Sequence, residues 1–266
     1  MKTEKKRKNT KKIALSLATL SVLGTLAIGG TMAYLTDAEV TENTFTVGKV
    51  QVDLEEPNYP GIYSDAVKNL VPNQVVAKDP QVENTGKNTS INFLSVSIPM
   101  KKVVLAADDG TKNAAAVTEL FQTKSGAGNF GAGNVNSKWV LVDTKYYDID
   151  GNVLTDVSPT VTKVVRVYGY NEKLAAGLKS ETLFDYVKLV NLVEGQVDYQ
   201  STQSIYVKAY AIQATDITDV PTDTLDQTTL KKVYDVYVKQ SGTDPDKAAN
   251  SHNAKDLKGG EPDHSL

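Results

Sequence analysis

The chain has no cysteine and only two histidines among its 266 residues. Without cysteine there is no disulfide framework, so stability must come from a core, which roughly 200 ordered residues are enough to supply. A cysteine-free exported chain is what a Gram-positive cell surface is expected to carry. The two histidines, His252 and His264, both lie in a polar carboxy-terminal stretch. A Ser-His-Asp or Cys-His arrangement needs a rigidly held base, and neither histidine is placed to serve as one. The HExxH pattern, which sets two zinc ligands on one helical face, is missing. The glycine-rich GAGNFGAGN, residues 126–134, lacks the lysine of a phosphate-binding loop and reads as a mobile surface loop. Carboxylates abound, yet no spacing singles out an acid–base pair. No catalytic residue, metal ligand or cofactor is therefore assigned. An LPxTG-type sorting motif and an apolar carboxy-terminal segment are also missing, so neither covalent wall attachment nor a carboxy-terminal anchor is expected.

What is present starts at the amino terminus. Residues 2–12 carry seven Lys or Arg against one acid, Glu4, and an apolar run follows from Ile13 to Gly30. Thr31-Met32-Ala33 then puts small residues at the −3 and −1 positions that signal peptidase requires. These features predict a secretory signal peptide, residues 1–33, cut between Ala33 and Tyr34. An uncleaved anchor is the alternative, because 18 apolar residues just span a bilayer, although Gly24, Gly29 and Gly30 weaken such a helix. Cleavage removes seven basic residues and one acid, leaving 22 basic against 31 acidic residues and a net charge of −9. That balance disfavours nucleic acid, whose phosphates need clustered Lys and Arg, and suits the solvated surface of a secreted protein. Membrane contact is expected only through the signal peptide before cleavage.

Residues 34–240 read as one domain of many short strands separated by turn signals, which indicates an all-β sandwich or barrel. In TFTVGKVQVDL, Phe45 and Val47 share one phase and Val50, Val52 and Leu54 the other, with the slip at Gly48-Lys49 where a bulge would fall. NFLSVSI puts Leu94, Val96 and Ile98 on one face and Ser95 and Ser97 on the other, the alternation of a half-buried strand. Further strands are expected over Val75–Glu83, Lys101–Ala106, Trp139–Ile149, Thr162–Tyr170, Tyr186–Leu192 and Ser204–Gln213. DIDGN, Asp148 to Asn152, begins like a calcium loop, but its glycine comes fourth instead of sixth, so a hairpin turn is expected. Residues 222–242 predict one helix, capped by Thr222 or Asp223, with Leu230, Val233 and Tyr237 on its buried face. Residues 241–266 are polar and predict a disordered tail. Most of the thirteen tyrosines sit in strands, where packing is the default reading and a carbohydrate platform the alternative.

Three stretches together resemble the TasA–camelysin family of Bacillus and related Firmicutes. GGTMAYLTDAEVTENTFTVGKVQVDL matches the family's signal region and first strand at Ala33, Tyr34, Asp37, Thr44, Phe45 and Gly48. NLVPNQVVAKDPQVENTGKNTSIN matches its Leu-x-Pro-Gly turn, its Lys-Asp and its Glu-Asn-x-Gly, with Asn73 where glycine is usual. LFDYVKL and SIYVKAYAIQA are similar to the closing strands of clostridial members. The resemblance implies a jelly-roll-like sandwich of two antiparallel sheets with one or two short helices, secreted after cutting by a SipW-type signal peptidase. It further implies self-association into biofilm-matrix fibres, a fibre-anchoring accessory protein, and an amino-terminal segment, Tyr34, Thr44, Phe45 and Val47 included, that is donated as a strand. Camelysin itself is described as a surface metallo-endopeptidase, an activity that falls on no residue pattern here. A surface adhesin or binding module is the remaining alternative.

Overall fold

The computed structural model describes residues 36–37, 50–68, 70–197, 202–215, 217 and 220–241. The chain divides into two compact units, Met1–Tyr34 and Leu35–Leu266, and every described residue belongs to the second. In chain order its strands are β1 (Thr36–Asp37), β2 (Val52–Glu55), β3 (Val75–Ala77), β4 (Gln81–Asn84), β5 (Ser90–Val103), β6 (Ala116–Glu119), β7 (Phe121–Lys124), β8 (Trp139–Tyr147), β9 (Val153–Leu154), β10 (Lys163–Tyr170), β11 (Tyr186–Leu189) and β12 (Tyr206–Gln213). A helix, α1 (Gln227–Ser241), follows. All strand pairs are antiparallel, and the fold is the expected β-sandwich.

The large sheet runs β1-β12-β5-β10-β8-β9, with β6 pairing the far end of β5. The stretches 92–98 and 101–106, read separately in the sequence, merge here into the 14-residue β5, which passes through Pro99. Proline is tolerated there because the strand beside β5 changes at that point: β12 begins at Tyr206 opposite Ser97, and β6 pairs from Met100 onward. Leu94, Val96 and Ile98 face the core as their alternation demands. Ser95 and Ser97, expected in solvent, are only 3% and 7% exposed. The half-buried reading of this strand is therefore corrected. Part of the outer face is covered by α1, whose Tyr234 ring lies 5.5 Å from Phe93 and whose Tyr237 ring lies 5.3 Å from Tyr210. Burial on both faces also explains why β10 reads VVRVYGY, apolar with no clean alternation.

The helix sits so close to the sheet that one position requires glycine. A Cβ on Gly169 would come within 2.9 Å of Leu230 Cδ2 and 3.1 Å of Phe93 Cε1, and both side chains are fully buried. Gly169→Ala is expected to cost about 1–3 kcal/mol by overpacking, read as a lower urea midpoint. The helix begins later than its sequence indicated. Asp226, not Thr222 or Asp223, is the cap: its Oδ1 accepts from Thr229 N at 2.8 Å and its carbonyl from Leu230 N at 2.9 Å. Thr222 instead donates its hydroxyl to Ala214 O at 3.0 Å. The Thr229 backbone N–H holds the Asp226 carboxyl below the usual range. The cap therefore stabilises above the unfolded aspartate pKa and is lost as pH falls through the lower folded value.

The second layer has two short sheets, β2-β4 and β3-β11-β7. Val75–Glu83, expected as one strand, is broken into β3 and β4 by Lys78-Asp79-Pro80. The ladder nevertheless continues across the break. Lys78 N donates to Asp185 O at 3.1 Å, Leu183 N to Pro80 O at 2.8 Å, and Ser180 N to Val82 O at 2.8 Å. The two short sheets thus form one kinked layer. Val52, Leu54, Val76, Val82, Phe121 and Val187 project from it into a core shared with Leu94, Val96, Ile98, Val164 and Val207 of the large sheet.

Candidate functional site

Thr31, Ala33, Tyr34, Thr44, Phe45 and Val47 lie outside the described residues, as do His252, His264 and the Gly48-Lys49 slip. Of the segment expected to be donated, Thr36 and Asp37 are described. They pair with Ile212 and Ala211 and place β1 at the outer edge of β12.

The second motif block is the one whose local geometry is fully visible. Pro72 and Asn73 occupy the two central positions of a tight turn in which Gln74 N donates to Val71 O at 3.0 Å. Asn73 has φ 65°, the left-handed conformation that the third position of a type II turn demands. This explains why glycine suits the site and why asparagine is tolerated. Asn73→Gly is expected to hold stability within about 0.5 kcal/mol, while Asn73→Val costs about 1–2 kcal/mol, measured by urea unfolding.

Four residues further on, the kink gathers charge. Lys78 Nζ lies 2.7 and 2.9 Å from the two carboxylate oxygens of Glu56 and 4.7 Å from the centre of the Tyr59 ring. Lys78 and Glu56 are each 5% exposed. The next side chain, Asp79, accepts from Asn58 N at 3.0 Å and from Asn58 Nδ2 at 2.7 Å. The third motif element, Asn84, is equally committed: its Nδ2 donates to Asn88 O and Leu174 O, both at 2.8 Å, and its Oδ1 accepts from Gly86 N at 3.0 Å. The Lys-Asp and Glu-Asn-x-Gly residues are thus engaged in shaping turns and a kink.

Beside Asp79 the outer face of the second layer opens into a cleft of about 290 Å³ lined by Asn58, Ala77, Asp79, Gly126, Asp185 and Tyr186. Asp185 Oδ2 accepts from Gly126 N at 2.6 Å and Oδ1 from Thr182 Oγ1 at 2.8 Å. Gly126, at the start of the glycine-rich stretch 126–134, therefore helps to wall the cleft. The main chain of the stretch is tied to β7, with Gly131 N donating to Thr123 O at 3.1 Å and Thr123 N to Gly131 O at 3.0 Å. Phe130 at its tip lies under Lys124 and Lys188, at 5.6 and 5.0 Å. No sequence pattern announced the cleft, because its residues come from four separate segments brought together in the fold.

Elsewhere several carboxylates have committed partners. Arg166 holds Glu119 through two parallel bonds, one of 2.9 Å, and burial nearby pushes the Tyr168 phenol up to about 12. Lys179 pairs with both Glu55 and Glu83. Asp148 accepts from Asn152 N and Nδ2 at 2.8 and 2.9 Å and closes the β8–β9 hairpin, so DIDGN is the turn its sequence indicated. Among the described residues no group of three or more His, Cys, Asp or Glu could hold a metal ion. The described donor set thus does not fit a protein-held metal.

Residues 8–219 match the family model described as camelysin metallo-endopeptidase. No curated protein and no solved structure matches the chain.

Proposed function

We propose that this chain, which belongs to the camelysin metallo-endopeptidase family, is a secreted structural protein, a subunit of extracellular matrix fibres built by amino-terminal strand donation. The supporting observation is the pairing of Thr36 and Asp37 with β12. An edge strand leaves a sheet without disturbing the strands behind it, and the edge it vacates accepts the same segment from a neighbour. When each copy gives to the next, the contact is head-to-tail and grows an open filament. On this reading a SipW-type signal peptidase frees the segment by cutting before Tyr34, and an accessory protein anchors the fibre to the Gram-positive surface.

The family's description favours a second reading, a metal-dependent surface endopeptidase. Incubating the purified mature protein with casein, with and without a chelator, and imaging it by electron microscopy separates the two. Filaments without casein cleavage are expected. Chelator-sensitive cleavage by a protein that stays monomeric would reverse the order.

A further inference from the structure

We propose that the cleft beside Asp79 binds one sugar ring of a polysaccharide, neutral or amine-bearing, and so ties the protein to a glycan. Tyr186 stands on β11 between Ala77 of β3 and Lys124 of β7. The residue is 42% exposed, whereas Tyr147, Tyr168, Tyr234 and Tyr237 are buried. An exposed aromatic ring on a rigid strand offers the flat apolar surface on which the C–H face of a pyranose stacks. The neighbour on β3 is only a methyl group, and this leaves the floor of the cleft open at Ala77. A volume of about 290 Å³ lies at the bottom of the range for small-molecule sites, which suits a single ring.

The polar wall has the other half of the required chemistry. Asp79, 2% exposed, is fixed by the main chain and side chain of Asn58, and Asp185 by Gly126 N and Thr182 Oγ1. Each Asp185 oxygen accepts one of these bonds and keeps a second lone pair, so this aspartate is preorganised to accept a sugar hydroxyl or ammonium, while Asp79, whose Oδ2 takes both Asn58 donors, adds its negative charge to the wall. Lys124 and Lys188 lie over the Phe130 ring, and neither lines the cleft. Two carboxylates in a small cleft repel uronates and favour neutral or amino sugars.

Calorimetry and saturation-transfer NMR on the mature chain, with cellotriose, fully deacetylated chitotriose and trigalacturonate as probes, test this. The first two are expected to bind weakly, with Kd on the order of millimolar, and chitotriose more tightly of the two. Tyr186→Ala, and separately Ala77→Leu, which fills the floor, should each weaken binding about tenfold with circular dichroism unchanged. Absence of binding by both probes, equal binding by both variants, or equal binding of trigalacturonate would overturn the proposal. Because the cleft and the β12 edge belong to different layers, Tyr186→Ala should polymerise as the parent does, which keeps this test apart from that of fibre assembly.

Discussion

Deletion of residues 34–47 is expected to abolish fibre formation while leaving a soluble subunit that binds a synthetic peptide of the same sequence. The segment includes β1, whose two residues pair with Ile212 and Ala211 at the edge of the large sheet. The central strand β5 pairs with β10 and β12 independently of it, so the sandwich core does not depend on its presence. What the deletion removes is the donor: the exposed edge of β12 remains, and the added peptide should occupy it by main-chain hydrogen bonding. Prolines at Thr36 and Asp37 offer a milder variant, since they remove both donors and keep the rest of the segment. Sedimentation and electron microscopy give the readout. A truncated protein that polymerises as well as the mature one would show that assembly uses another surface.

Lys78→Met is expected to destabilise the domain by about 3–5 kcal/mol, the largest single-residue effect anticipated here. The change removes the cation that lies 2.7 and 2.9 Å from the Glu56 oxygens and strands a carboxylate that is 5% exposed. Removing one partner of a buried pair costs far more than removing both. The double change Lys78→Met with Glu56→Leu is therefore expected to regain most of the loss, and urea unfolding of both variants measures it. A single variant within about 1 kcal/mol of the parent would mean that Glu56 finds water or another donor when Lys78 is gone. The pair also locks the kink that joins β3 to β4, so the single variant should loosen the cleft wall at Asp79.

Local rules made much of the fold legible. Val50, Val52 and Leu54 are buried at 3%, 6% and 8% exposure, in the phase their spacing requires. The Asp148–Asn152 hairpin, the buried helix residues Leu230, Val233 and Tyr237, and the turn at Pro72-Asn73 follow from near neighbours in the chain. The errors share one cause. Alternation says which side chains share a face and nothing about what covers it, so it cannot show that Ser95 and Ser97 are buried or that a helix beginning at Gln227 packs on Phe93 of the same face. Tertiary contacts likewise moved the helix start to Asp226, since Thr222 is drawn to Ala214 O.

The sequence by itself determined the strand-rich composition and the family, because each is carried by contiguous residues whose chemistry acts locally. Only the tertiary structure decided the rest. Lys78 meets Glu56 and Asp79 meets Asn58 across 22 and 21 residues, and Asp185 meets Gly126 across 59. Such meetings depend on strand register and on a kink that breaks the ladder, quantities set by packing of the whole core and invisible to any local pattern.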